Sequence, residues 1–592
     1  MRRPEVRRTP RRFSDTHTTF MTRAPSSPPR SELFTAIFSL RRAFFAVAAF
    51  SLCINLLMLV PSLYMLQIYD RVITSRNGMT LLMITLIMLL AYALLGILEW
   101  VRSRLLIGAS LQFDEALKDR VFNAAFEAVL RGRGVNPAQA LADLTQLRQF
   151  LGGNGLIAFF DAPWVPVFLV VITLLHPMLG LLSLVGGIVL FVLTLLTERL
   201  THQPLSEANA LGIQAGNYAG NTLRNAEVIE AMGMQARLRE RWRSQHDKSL
   251  DLQELASDRA GSIGAVTRFT RIALQSLALG AGAWLVIDDK LGPGSMIAAS
   301  ILMGRALSPI EQVIGVWRNL TAARSSYARL AALFAALPPR TAGLPLPRPV
   351  GHLLVDNVSA AAPNRDVPIL KGIRFALAPG EILAIIGPSA SGKSSLARLL
   401  VGVWPAAAGK VRLDGADVHD WNKLELGRHV GYMPQDVELF EGTIAANIAR
   451  FAEPDPEKIV QAAQRAGIHE MILRFPTGYD TEIGVGGAFL SGGQRQRIGL
   501  ARAIYDDPVL IVLDEPNSQL DETGEAALAQ ALAELRARGS TIAIVTHRPN
   551  VLGIADKLLL LRDGAQQMFG PRAEVLAALA KAMMPKKPEL ER

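Results

Sequence analysis

Cysteine is almost absent: Cys53 is the only one in 592 residues, which excludes an intramolecular disulfide framework and a cysteine-based zinc cluster. Charge is scarce as well. Charged residues make up 19% of the chain and apolar ones 50%, and the mean hydropathy of +0.26 is high for a soluble protein but expected where part of the surface faces lipid. The first thirty residues hold eight arginines among Pro, Ser and Thr and lack the apolar core and small-residue cleavage site of a secretory signal. We read residues 1–35 as a basic disordered arm, with Met21 as an alternative start. No internal repeat of solenoid period is visible. The net charge of +10 would suit a nucleic-acid partner if it formed one patch. The arginines instead flank apolar stretches, as the positive-inside rule requires, so no nucleic acid is expected.

What the chain does have is six apolar stretches, near 43–66, 80–98, 156–175, 178–197, 269–287 and 294–312. At roughly 1.5 Å per residue each can cross about 30 Å of hydrocarbon, given some tilt and polar ends. Cys53 falls in the first, where it serves packing. His176-Pro177 alone separates the third from the fourth, and Asp288-Asp289-Lys290 with Gly292-Pro293-Gly294 separates the fifth from the sixth, so both pairs are hairpins. Polar segments of about 55 and 70 residues follow the second and fourth stretches; rich in Arg and Glu and poor in Gly and Pro, they read as long cytosolic helices. Arg102, Arg104, Lys118, Arg120, Arg131, Arg133 and Arg148 lie in the first segment and Arg237, Arg239, Arg241 and Arg243 in the second. The short opposite loops hold few cations, which places both termini inside.

After residues 336–350, a Pro- and Gly-rich linker, the pattern changes. Apolar strands at Ile382–Ile386, Val509–Leu513 and Thr541–Val545 alternate with helical segments over 351–575, the mark of a parallel sheet covered on both faces; 576–592 is a tail. Gly387-Pro-Ser389-Ala-Ser391-Gly392-Lys393-Ser394 follows the first strand and opens a helix, which is the context a P-loop needs. Its glycines let successive N–H groups face phosphate oxygens, so Gly387, Ser389, Ser391, Gly392 and Ser395 line the nucleotide. Lys393 reaches the β and γ phosphates, and the Ser394 hydroxyl binds Mg²⁺. Asp514 and Glu515 end the second strand; Asp514 is placed as the metal carboxylate and Glu515 to polarise the attacking water as general base. Ser491, Gly492, Gly493 and Gln494 put a hydroxyl N-cap and two glycines at the mouth of a helix, a second anion site with no phosphate of its own.

Leu490-Ser491-Gly492-Gly493-Gln494-Arg495-Gln496 resembles the signature of ABC transporters, and the resemblance covers residues from about 40 to 575. It implies an all-α six-helix transmembrane domain of the ABC exporter fold, over 36–335, fused to an α/β P-loop nucleotide-binding domain. It further implies ATP and Mg²⁺ as cofactors and a homodimer in which each P-loop faces the partner's signature. By the same resemblance Gln435 touches Mg²⁺ and the transmembrane helices, Asp521 belongs to a loop that crosses the dimer, and His547 contacts the γ phosphate. The family usually carries an adenine-stacking aromatic about 25 residues before the P-loop. Here Val358-Ser-Ala-Ala-Ala-Pro363 has no ring, which leaves the base on aliphatic or arginine surface.

Within that family, Tyr69-Asp70-Arg71-Val72, Asp161-Ala-Pro-Trp164, Glu230-Ala-Met-Gly233, Gly304-Arg305 and Asn517-Ser518 look like the permease and ATPase of type I secretion systems, the protease-exporter type. That resemblance implies export of unfolded proteins with a C-terminal signal from the bacterial inner membrane, the ATPase domain lying in the cytoplasm. Its partners would be a membrane-fusion adaptor, an outer-membrane channel, the secreted polypeptide and membrane lipid. A lipid or drug exporter shares the layout and is the competing reading. The forty residues or so before the first stretch are too few for a leader-cleaving peptidase. Two plainer readings also stand: Asp161 as a helix cap, and Asp70-Arg71 as an interfacial ion pair. Arg305, inside an apolar span, is expected to face a wet pathway or a neighbouring helix.

Overall fold

The computed structural model describes residues 32–132, 136–339, 346–363, 367–518, 520 and 522–583. The chain divides into two compact units, one of Met1–Ala125 with Asn136–Pro338 and one of Phe126–Val135 with Pro339–Arg592.

Among the described residues, six helices are long and apolar enough to cross a membrane: α1 (Arg41–Ser75), α2 (Gly78–Leu130), α3 (Gly155–Leu175), α4 (Pro177–Leu223), α5 (Gln235–Ile287) and α6 (Pro293–Ala336). Each contains one of the six apolar stretches. Helices α2, α4, α5 and α6 have 53, 47, 53 and 44 residues, well over twice the thickness of a hydrocarbon core at roughly 1.5 Å per residue. The spans therefore continue without a break into the charged segments beside them, as far as Leu130 and Leu223 and from Gln235 onward. Helical backbone satisfies its own N–H and C=O groups on either side of that change, so nothing local ends the helix there. Phe168 and Ile172 of α3 pack with Leu179 and Leu190 of α4, Leu285 of α5, and Leu302, Met303 and Leu307 of α6. Arg305 is exposed beside those buried residues.

Two motif residues depart from the plainer readings. Asp161 makes no side-chain cap bond to the turn it precedes. Its carboxylate accepts from Arg102 at 2.8 Å and from Asn55 at 3.1 Å, while Arg102 also donates to Ser51 at 3.0 Å. Arg102 is buried, and a buried guanidinium needs a counterion; that requirement decides the role of Asp161 and ties α1, α2 and α3 together. Asp70 sits in a wide turn with i→i+5 bonding, Ile68–Val72, and accepts from the Gly294 N–H at 2.8 Å. It caps α6 and has no ion pair with Arg71. A Cβ at Gly294 would stand 2.7 Å from the Leu66 carbonyl, so this close approach requires glycine.

The second unit carries one ten-stranded sheet built from β1 (Leu353–Ala361), β2 (Pro368–Leu377), β3 (Ile382–Ile386), β4 (Ala408–Leu413), β5 (Ala416–Asp417), β6 (Val430–Met433), β7 (Leu510–Asp514), β8 (Thr541–Val545), β9 (Lys557–Arg562) and β10 (Ala565–Pro571). Their order is β5-β4-β1-β2-β10-β9-β3-β8-β7-β6. The β9-β3-β8-β7-β6 portion is parallel. Antiparallel β1, β2, β4 and β5 extend it; the mixed buried and exposed positions of β1 and β2 mark those two as covered on one face only. Strand β7 ends one residue later than its apolar run, because Asp514 still pairs in register with Val545. Successive residues of β3, β7 and β8 alternate between two cores: Ile511, Leu513, Ile542 and Ile544 on one face, Leu510, Val512, Ala543 and Val545 on the other.

Removing one member of the Arg102–Asp161 pair leaves a buried charge, whereas removing both leaves an apolar contact. Asp161→Leu is expected to destabilise the membrane unit by about 3 kcal/mol, and Arg102→Met with Asp161→Leu to restore most of it. Thermal unfolding in detergent followed by tryptophan fluorescence checks this; equal loss in single and double variants would contradict the pairing.

Candidate functional site

The P-loop spans the gap from β3 to α7 (Lys393–Leu400). Gly387 and Gly392 have φ of 155° and 97°. A Cβ on Gly387 would fall onto the Leu561 carbonyl oxygen, and one on Gly392 would lie 2.7 Å from Leu370 Cδ2, so both the turn and its packing demand glycine. The buried Lys393 ammonium donates to the Gly387 and Pro388 carbonyls, each at 2.9 Å. Those bonds fold the side chain back over the loop's concave face. Ser394 and Ser395 occupy the first turn of α7, and Ser389 is exposed at the tip. Ser391 differs: its hydroxyl is buried without a partner and its N–H bonds the Pro388 carbonyl at 3.3 Å.

Asp514 closes β7 in a buried position, and burial pushes its carboxyl above the usual carboxylate range. The hydrogen bond from Ser394 pulls it back and the neighbouring Glu515 adds to the rise. One carboxylate oxygen, Oδ1, is buried without a hydrogen-bond partner. A buried carboxylate with an orphaned oxygen beside a serine hydroxyl is a donor set that fits a hard divalent cation.

Glu515 leaves the sheet with φ of 49°, a left-handed conformation that costs a non-glycine residue about 1–2 kcal/mol. Its N–H holds the Val545 carbonyl at 3.0 Å. Its carboxylate accepts from Gln435 Nε2 at 3.1 Å, and His547 Nε2 stands 3.7 Å from the other oxygen. Gln435 follows β6 and His547 follows β8, so three neighbouring parallel strands deliver Gln435, Glu515 and His547 to one place. This is the carboxyl edge of the sheet, where open α/β folds bind ligands.

Helix α8 (Gly492–Ile504) begins with a reciprocal capping box. The Gln494 N–H donates to Ser491 Oγ at 3.3 Å, and the Ser491 N–H donates to Gln494 Oε1 at 2.8 Å. Gly492 and Gly493 form its first turn. Asp521 lies outside the described residues. Sequence reading missed Gln496, buried within α8, whose amide donates to the Glu515 carbonyl and to Ser518 Oγ, each at 3.1 Å. Its signals were its place at the end of the signature-like run and a polar side chain among the buried Ile498, Leu500, Ala501 and Ile504, but neither gave it a role.

Two family models match the chain: the ABC transporter transmembrane region over residues 44–309 and the ABC transporter domain over 370–518. The type I secretion system ATP-binding protein PrsD of Rhizobium meliloti (strain 1021) is 46% identical over 555 residues, covering 93% of this chain and 95% of that protein. The toxin RTX-I translocation ATP-binding protein of Actinobacillus pleuropneumoniae is 28% identical, over 92% of this chain and 77% of that protein. A solved structure of a bacterial Atm1-family ABC exporter with ATP bound superposes with a TM-score of 0.78 at 23% identity, covering 92% of this chain and all of that one. That likeness is one of fold.

Because no side chain fits at Gly387, Gly387→Ala is expected to lower the stability of the nucleotide-binding unit by at least about 2 kcal/mol and to abolish binding of a fluorescent ATP analogue. Calorimetry and fluorescence titration of the purified protein check both; retained binding would show that the loop can re-form around a Cβ.

Proposed function

The chain belongs to the ABC transporter family, among the ATP-binding proteins of type I secretion, and from that premise we propose that it spends ATP to export unfolded polypeptides bearing a C-terminal secretion signal. Relationship to PrsD across nearly the whole of both chains carries this reading. It covers the membrane half, where cargo is handled, as well as the ATPase half. The protein is a multi-pass membrane protein that binds and hydrolyses ATP. We place it in the bacterial inner membrane, with 36–335 spanning, 336–350 as linker and the ATPase domain, 351–575, in the cytoplasm. Its partners on this reading are a second copy of the chain, a membrane-fusion adaptor, an outer-membrane channel, the secreted polypeptide, and lipid against exposed residues such as Leu90 and Phe191.

In the reaction, N–H groups of Gly387, Ser389, Ser391, Gly392 and Ser395 hold phosphate oxygens, and Lys393 leaves the Gly387 and Pro388 carbonyls to reach the β and γ phosphates. Ser394, Asp514 and Gln435 would hold Mg²⁺, which when bound neutralises charge on the phosphate oxygens. Glu515 accepts the proton of the attacking water as general base once Gln435 releases its carboxylate. His547 donates toward the γ phosphate. Ser491, Gly492, Gly493 and Gln494 form the anion site at the α8 terminus that meets the nucleotide on the partner's P-loop, the Gly492 and Gly493 N–H groups facing its phosphate while the Ser491–Gln494 capping box holds the turn, and Asp521 serves in the loop that crosses the dimer. Adenine lies on aliphatic or arginine surface, since β1 ends in alanines. Arg305, whose charge would cost about 2.5–3.5 kcal/mol at the centre of a lipid-facing span, faces the wet route of the polypeptide.

Glu515→Gln in the protein reconstituted in lipid is expected to cut hydrolysis by about 10²–10⁴-fold, with ATP still bound. A C-terminal segment of a secreted protein from the same genome is expected to change the wild-type rate. Hydrolysis indifferent to every such segment but raised by lipids or drugs would overturn the reading as a protein exporter.

A further inference from the structure

Glu515 is held in its left-handed conformation from two sides. On one side its N–H bonds the Val545 carbonyl at the end of β8. On the other its carbonyl accepts the Ser518 N–H at 3.2 Å and the Gln496 amide at 3.1 Å. The second Gln496 proton goes to Ser518 Oγ, so one amide spans both ends of the turn that carries Glu515. Gln496 is 4% exposed and lies about one and a half turns below the Ser491 cap on the same helix. A cleft of about 190 Å³, lined by Gln435, Gly492, Arg495, Gln496 and Ser518 among others, runs beside these contacts.

We propose that Gln496 is a positioning residue for hydrolysis: it fixes the turn that aims Glu515, and it links that turn through α8 to the anion site at Ser491. The inference rests on Glu515 being the general base, as set out above. Helix α8 is rigid over this distance, so a shift of its N-terminus on meeting phosphate moves Gln496 with it. The Glu515 carbonyl and Ser518 follow, and the carboxylate is re-aimed. Occupancy of the signature end of α8 is thereby transmitted to the water-activating group without passing through the P-loop.

Gln496→Leu keeps the bulk and removes the donor. We expect kcat to fall about tenfold, the worth of one well-placed hydrogen bond, with KM for ATP and the affinity for a fluorescent ATP analogue within twofold. Deuterium uptake at 514–518 should rise. A wild-type kcat in Gln496→Leu would overturn the proposal, as would unchanged deuterium uptake at 514–518, because the turn would then hold without the donor. Should Gln496→Leu fail to fold, Ser518→Ala frees one end of the clamp and should lower kcat roughly two- to threefold at unchanged KM; an unchanged kcat there also overturns it. A wild-type protein that hydrolyses no ATP would sink the exporter reading itself, which separates the two failures.

Discussion

The burial of strand β7 on both faces is the constraint from which the nucleotide site follows. Leu510 to Leu513 fill two cores at once, so a charged side chain has no place along the strand and can appear only at its end. Asp514 is that end, and it is still buried. Burial holds its carboxyl above the usual carboxylate range, as expected for a charge brought to the edge of an apolar layer; Ser394 offsets this in part and a cation would offset it further. One residue on, the backbone must leave the sheet while its N–H still serves Val545. The left-handed turn at Glu515 satisfies both demands, and the strain it carries explains why two elements are needed to hold it.

The membrane unit obeys the same rule in a poorer solvent. Arg102 Nη1 bonds both Asp161 and Ser51, and Asn55 adds a second donor to Asp161. The pair adds no net stability over a packed apolar contact. What it adds is register, since Arg102 meets Asp161 only when α1, α2 and α3 hold one relative position. Asp70 acts likewise: by capping α6 at Gly294 it fixes the start of the last span against the wide turn that ends the first.

Local features were legible in the sequence and pairings were not. The P-loop, the Asp514–Glu515 step and the Ser491 cap are written within runs of eight residues or fewer, because each depends on backbone geometry that its own residues impose. The six apolar stretches were legible for the same reason. The continuity of α2 and α5 across the change from apolar to charged composition was hidden, since a helix has no local signal for where lipid stops. Arg102 with Asp161 and Asp70 with Gly294 lie 59 and 224 positions apart, so only the fold brings them together. The antiparallel strands beside the parallel sheet were missed because their half-exposed pattern resembles surface loop.

Gln496 belongs between these cases, and its position explains why a helix carries the signature. A loop could present the same N–H groups to a phosphate, but it would absorb the force of binding by bending. A helix with a reciprocal cap at its first turn and a buried amide one and a half turns in delivers displacement from one end to the other with little loss. The left-handed turn at Glu515 receives it. Because that turn already sits in a sparsely populated backbone region, a small change in one hydrogen bond suffices to alter where the carboxylate points. Strain at Glu515 and rigidity in α8 are thus two halves of one device, and neither would be useful without the other.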